Sequence, residues 1–140
     1  MWTRSYSTKV TDVPATRLWA VWSDVDQWHR WQDDIEYARL EGRFDNGQTF
    51  RFKPKGGPDL RLELCDVKPG VAFTDITRFP LARMVDSHEL IEHEDGVEVK
   101  TTLTIHGPLA FLWRKLVAEG VARSLPQQTD SLIRAARDGH

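Results

Sequence analysis

Residues 84–106, MVDSHELIEHEDGVEVKTTLTIH, alternate apolar and polar side chains on both sides of Asp95-Gly96. Asp-Gly between alternating runs is the strongest short-range signal for a two-residue β-hairpin. A turn at Asp95-Gly96 pairs Glu94 with Val97, Leu90 with Thr101 and His88 with Leu103. Side chains alternate across a strand, so Val97, Val99, Leu103 and Ile105 share one face, and their apolar character makes it the buried one. Met84, Asp86, His88 and Leu90 on the partner strand then point inward too.

Working outward from this hairpin, a turn around PLAR pairs Phe79 with Met84, Thr77 with Asp86, Asp75 with His88 and Phe73 with Leu90. Pro69-Gly70 carries the same face onto Leu60, Leu62 and Leu64, and Phe50 and Phe52 extend it. The second hairpin behaves differently. A two-residue Asn46-Gly47 turn would bury Arg39, Glu41 and Arg43, whereas a three-residue Asp45-Asn46-Gly47 loop buries Ala38, Leu40 and Phe44. The second register is preferred because it avoids burying unpaired charges; it places Glu36 inward and Tyr37 outward.

From Ile35 to His106 the chain therefore reads as a meander of six strands. Residues 3–12, TRSYSTKVTD, add a strand in front. Between them, VPATRLWAVWSD has Asp12 as a possible N-cap, Pro14 in the first turn, and Leu18, Val21, Trp22 and Val25 at helical spacing, which predicts a short helix or helix pair to about Gln32. After Gly107-Pro108 the helical period returns through Trp113, Val117, Val121, Leu125 and Leu132, giving one long C-terminal helix. Pro126 predicts a kink in it and Gly120 a second soft point. The steps of four from Trp113 to Leu125 make a stripe that rotates slowly, as on a helix lying across a curved sheet.

The chain of 140 residues is sized for one domain, residues 1–140, of the α+β class. Its formal charge of -2, with Lys and Arg scattered, offers no basic stripe for a phosphate backbone, so no nucleic acid partner is expected. Cys65 is the only cysteine, which excludes an internal disulfide and multi-cysteine zinc patterns. The N-terminal MWTRSYSTKV lacks a signal-peptide pattern, and no apolar run approaches the roughly 18 residues of a membrane span, so a cytoplasmic location is expected. FKPKGGPD, residues 52–59, lacks the strand-loop-helix setting of a phosphate loop and reads as a mobile hairpin loop. No cofactor is expected.

The inward face contains Asp75, Thr77, Asp86 and His88 among Phe73, Phe79, Met84, Leu90 and Leu103. Buried polar groups cost a few kcal/mol unless hydrogen-bonded, so this group needs partners, water or a ligand. His88, oriented by Asp75 or Asp86, has the chemistry to bind a ligand carbonyl or to act as a general acid or base. Strand alternation alone supplies no metal geometry, so no metal site is expected. In DVDQWHRWQDDIEY, residues 24–37, Trp28 and Trp31 share a helix face while the acidic residues and His29 spread around it. That spread argues for a packed corner over a metal site. Trp19 and Trp22 at helical spacing read as core.

The order strand, helix pair, six-stranded meander, long helix resembles the helix-grip fold of the START-like, polyketide cyclase/dehydrase-like family. The residues carrying the likeness are WSDVDQWHRW (22–31), GRFDNGQTFRF (42–52), DGVEVKTTLTIHGPL (95–109) and the amphipathic helix after them. The resemblance implies a curved antiparallel sheet of about seven strands wrapped around the long helix. It also implies a cavity between them that binds apolar or aromatic small molecules such as a lipid, a quinone or a polyketide-like compound. Trp31 resembles the tryptophan that the family places after its short helix, at the cavity mouth, and Trp113 and Val117 lie on the helix that walls the cavity. The expected lining is Trp31, Phe50, Phe52, Leu62, Phe73, Thr77, Phe79, Met84, Leu90, Thr101, Leu103, Trp113 and Val117. Two function classes follow: a binding module, and a cyclase or dehydratase in which His88, with Asp75 or Asp86, moves protons.

Overall fold

The computed structural model describes residues 1–139. Seven strands form one antiparallel sheet in the order β1-β7-β6-β5-β4-β3-β2, with β1 Trp2–Val10, β2 Ile35–Leu40, β3 Thr49–Pro54, β4 Leu60–Lys68, β5 Ala72–Phe79, β6 Ala82–His93 and β7 Gly96–His106. The first strand returns to pair with the last, and every other neighbour in the sheet is a neighbour in sequence. Between β1 and β2 the chain forms α1 (Ala15–Ser23), a 3₁₀ turn (Val25–Gln27) and α2 (Trp28–Trp31). The C-terminal helix runs as α3 (Ala110–Trp113), a π-helical turn (Arg114–Ala118) and α4 (Glu119–Asp138). Among the described residues, no helix is long and apolar enough to cross a membrane.

The apolar face is the one read from alternation: β7 buries Val97, Val99, Thr101, Leu103 and Ile105 in strict succession. The register differs. His88 pairs with Thr101 and Leu90 with Val99, because the turn is Glu94-Asp95 and Gly96 already belongs to β7. Phe73 likewise pairs with His88, Asp75 with Asp86 and Thr77 with Met84, across a turn at Pro80-Leu81. Each slip is two residues, and an even slip leaves every side chain on its own face. Gly96 serves the strand and not the turn: a Cβ there would lie 2.5 Å from the Val10 carbonyl oxygen of β1.

The second hairpin has no three-residue loop. Residues 41–48 connect β2 to β3, and Gly47 and Gln48 exchange backbone hydrogen bonds of 2.8 Å with Leu64 on β4. Ala38 is buried and Leu40 and Phe44 pack against the core, but Glu36 is exposed and pairs with Lys53. A bulge between Ile35 and Tyr37 resets the alternation, so Ile35 takes the buried position expected for Glu36. Tyr37 lies outward, with the Arg39 guanidinium 4.8 Å over its ring.

Pro14, and not Asp12, occupies the N-cap of α1. Asp12 instead accepts two hydrogen bonds from the Arg137 guanidinium, at 2.7 and 3.0 Å, tying the start of α1 to the last turn of α4. Pro126 lies inside an unbroken α4; the irregularity falls at Arg114–Ala118, where i→i+5 closure absorbs an extra residue. This lets the four-residue steps of the stripe stay facing the sheet.

Two apolar clusters hold the helix to the sheet. One joins α1, α2 and β2–β7 to Leu132, Ile133, Ala135 and Ala136 of α4. The other joins Met84, Leu103 and Ile105 to Ala118, with Phe79, Trp113, Val117 and Val121 around it. Gly107 links β7 to the second cluster. It has φ +119°, and a Cβ there would come within 2.5 Å of the Leu81 carbonyl oxygen. That carbonyl accepts from Leu109 N at 3.0 Å, so the glycine lets the helix start dock on the β5–β6 turn. Gly107→Ala is expected to cost about 2 kcal/mol or more in urea unfolding, from backbone strain and lost docking; an unchanged midpoint would show that this close approach does not constrain the chain.

Candidate functional site

Along β6 the inward positions run Met84, Asp86, His88, Leu90: the two ends belong to the two apolar clusters and the middle pair lies between them. A cavity of about 410 Å³ opens there between the sheet and the C-terminal helix. Its polar floor consists of Asp75 and Thr77 from β5, Asp86 and His88 from β6, and Thr101 from β7.

His88 organises the floor. Its Nε2–H donates to Asp75 Oδ2 at 3.2 Å, and Asp86 Oδ2 lies 3.6 Å from the same nitrogen. Nδ1 meets Thr101 Oγ1 at 3.4 Å. The imidazole stacks on Phe73 with centroids 4.4 Å apart, and Trp22 meets it at a steep angle at 5.4 Å. These contacts fix the ring in one orientation.

Burial pushes the Asp86 carboxyl up to about 7; the nearby imidazolium pulls it down, and Asp75 adds to the rise. Burial pulls the His88 imidazole down, but the charge of Asp86 and the hydrogen bond and charge of Asp75 outweigh it, so the net shift is upward. Asp86 Oδ1 is buried without a hydrogen-bond partner. The floor therefore keeps a proton on Asp86 up to about pH 7 and leaves one sealed carboxyl oxygen without a partner. Asp75, Asp86 and His88 also bring three potential metal-ligating atoms within 4.8 Å of one another.

The walls are largely apolar. Trp28, Trp31, Phe52 and Leu60 close the end near α2, and Leu62, Phe73 and Met84 line the sheet side. Trp28 is held beside Trp31, with ring centroids at 6.3 Å, and its indole N–H donates to the Trp22 carbonyl at 3.0 Å. The π-helical turn and α4 supply Val117, Val121, Ser124, Gln128, Thr129 and Leu132. Leu116, 65% exposed, stands at the rim. Residues 55–59 connect β3 to β4, so the loop expected over 52–59 is strand in its first three residues; Phe52 and Pro54 at the end of β3 and Leu60 at the start of β4 reach the cavity.

Of the residues expected at the cavity, His88, Asp75, Asp86, Trp31, Phe52, Leu62, Phe73, Thr77, Met84, Thr101 and Val117 line it. Five do not. Phe50 is 1% exposed beneath Trp28, with ring centroids at 5.4 Å, and is sealed in the first cluster. Leu90 lies past the cavity in that cluster, and Leu103 lies in the second. Phe79 stacks on Trp113 at 4.5 Å, outside the cavity, and the Trp113 indole N–H donates to the Pro80 carbonyl at 2.9 Å. The β5–β6 turn, and not a group inside the cavity, thus partners the Trp113 indole.

Trp22, read as core, is both buried and a wall of the cavity. The helical positions 121, 124, 128 and 132 follow the same three-to-four-residue stripe as Val117, a periodicity that could have identified them. Exposed Asp34 and buried Gln32 line the cavity from the α2–β2 corner, whose course no periodicity reveals. Cys65 lies on the other face, and burial pushes its thiol up, so it offers no ready nucleophile.

The chain matches the family described as polyketide cyclase / dehydrase and lipid transport over residues 1–137. Solved structures share the fold over nearly its whole length. A protein of Mesorhizobium loti has TM-score 0.74 at 17% identity, covering 98% of this chain and 97% of its own. Ara h 8.0201 has TM-score 0.77 at 13% identity, covering 98% of both chains. Norcoclaurine synthase of Thalictrum flavum, solved with dopamine and hydroxybenzaldehyde, has TM-score 0.74 at 12% identity, covering 99% of this chain and 88% of its own. No curated protein matches.

Proposed function

Because this chain belongs to the polyketide cyclase / dehydrase and lipid transport family, we propose that it binds a hydrophobic or aromatic small molecule in the cavity between its sheet and C-terminal helix. One observation carries the reading: a cavity of about 410 Å³, walled by Trp22, Trp28, Trp31, Phe52 and Phe73, has Asp75, Thr77, Asp86, His88 and Thr101 clustered on its sheet side. A concave, mainly apolar site with a few convergent polar groups is the usual form of a small-molecule site. The apolar walls favour burial of a ring system or alkyl chain, and the floor orients it. Thalictrum norcoclaurine synthase, which shares the fold, is a precedent for aromatic small molecules bound by a chain of this shape.

Native mass spectrometry of the purified protein, followed by solvent extraction, tests the reading. A retained stoichiometric apolar or aromatic compound is expected. A protein that retains nothing, and whose tryptophan fluorescence ignores a panel of quinones, polyphenols and alkyl compounds, would contradict it.

The Asp86 carboxyl supports a second reading, a cyclase or dehydratase. A carboxyl with its proton held to about pH 7 beside an ordered imidazole is suited to proton transfer. His88→Ala separates the two: a binding module changes affinity by less than about tenfold, whereas an enzyme loses turnover with affinity largely kept.

A further inference from the structure

We infer that the cavity selects an apolar molecule bearing a protonated amine and disfavours one bearing a carboxylate. The inference rests on the proposal that the cavity is a ligand site, and it names the ligand's charge. Among the described residues the lining contains three carboxylates, Asp34, Asp75 and Asp86, one imidazole, His88, and no lysine or arginine. Asp34 stands at the rim, exposed to water. Asp75 and Asp86 stand on the floor, 7% and 14% exposed in their side chains.

One imidazolium cannot balance two buried carboxylates. Asp75 takes the His88 N–H at 3.2 Å, Thr101 meets the other ring nitrogen, and Asp86 is left at 3.6 Å with Oδ1 unpartnered. With no cation beside it, a proton on Asp86 removes the excess charge. An ammonium group donating to the Asp86 carboxyl, whose side chain keeps 14% exposure at the cavity, replaces that proton: the protonated carboxyl and R–NH₃⁺ give a carboxylate–ammonium pair, and the displaced H⁺ goes to solvent. Charge-assisted hydrogen bonds of this kind are about twice as strong as neutral ones. The alkyl or aryl body then lies against Trp28, Trp31, Phe52 and Val117. A ligand carboxylate would bring a further negative charge to a lining with no lysine or arginine, where only neutral donors can meet it.

Competition against the neutral fluorophore N-phenyl-1-naphthylamine at pH 7.5 tests the inference, with octylamine, octanol and octanoate as competitors of equal chain length. Octylamine is expected to displace the dye about tenfold better than octanol, with octanoate weakest. Asp86→Asn is expected to bring the octylamine-to-octanol ratio down to about one, whatever it does to either affinity alone. Calorimetry at pH 6, where Asp86 holds its proton, in two buffers of different ionisation enthalpy is expected to show close to one proton released as octylamine binds. Octanol or octanoate matching octylamine, or an advantage that survives in Asp86→Asn, would overturn the inference while the cavity reading stands. Displacement by zinc(II) alone, with octylamine inert, would overturn it in favour of a metal ion. A dye that does not bind the wild type would overturn the cavity reading itself.

Discussion

Phe73→Ala is expected to lower the free energy of unfolding by about 3–5 kcal/mol, as aromatic truncations in well-packed cores do. Phe73 is 1% exposed and meets Phe44 at 5.0 Å, Trp22 at 5.4 Å and Trp19 at 6.1 Å, each ring steeply inclined to it. These rings come from α1, the β2–β3 connection and β5, so no single element can move in to fill the space. The truncation also removes the surface on which His88 stacks. Urea unfolding followed by tryptophan fluorescence measures the loss. A cost below about 1 kcal/mol would mean that the site collapses freely, and that the aromatic cluster does not set the wall.

Asp86→Asn is expected to change how stability depends on pH. The unfolded carboxyl titrates near 3.8 and the folded one near 7, so across that window the folded state keeps a proton that the unfolded state has released. Stability from this group therefore declines as pH rises from about 4 to 7 and is gone above, with a limiting slope of about 1.4 kcal/mol per pH unit. His88 acts in the same sense: its folded value is raised, so its contribution is present below pH 6.5 and is lost as pH rises through the folded value. The titratable groups facing Asp86 are His88 on its own strand and Asp75 on β5; β7 presents Leu103 and Thr101, and the helix presents Val117 and Val121. The asparagine variant removes the Asp86 contribution, so wild type and variant should diverge on going from pH 5 to pH 8. The variant should gain about 2 kcal/mol relative to wild type. Urea midpoints that run parallel at pH 5.5, 7 and 8.5 would show that Asp86 titrates as an ordinary exposed carboxyl.

The face of each strand could be read in the sequence; its partner could not. Alternation in 84–106 places Asp86 and His88 inward whichever two residues form the turn, provided the slip is even. The turn itself depends on β1. Asp95-Gly96 has the residue pair of a tight turn, yet Gly96 is required because the Val10 carbonyl, far away in sequence, passes over it. Glu36 was misplaced for a comparable reason: a bulge after Ile35 leaves no mark on a six-residue strand. The polar floor was legible because Asp75, Thr77, Asp86 and His88 break an otherwise apolar face. The limits of the cavity were not, since Leu90, Leu103 and Phe50 share that face with the floor and differ only in whether another element covers them. Trp113 shows the same limit. Its four-residue spacing from Val117 places it on the helix stripe, but the π-helical turn and the Pro80 carbonyl hold it outside the cavity.

Methyl NMR of the ¹³C-labelled protein titrated with N-phenyl-1-naphthylamine tests the central claim, that the cavity is where a ligand binds, most directly. The methyl signals of Leu62, Met84, Thr101, Val117, Val121 and Leu132, which ring the cavity from both sheet and helix, are expected to shift together, while those of exposed Val71 and Leu81 stay in place. Shifts confined to exposed positions such as Leu81 and Leu112, or none among the six at saturating dye, would contradict it.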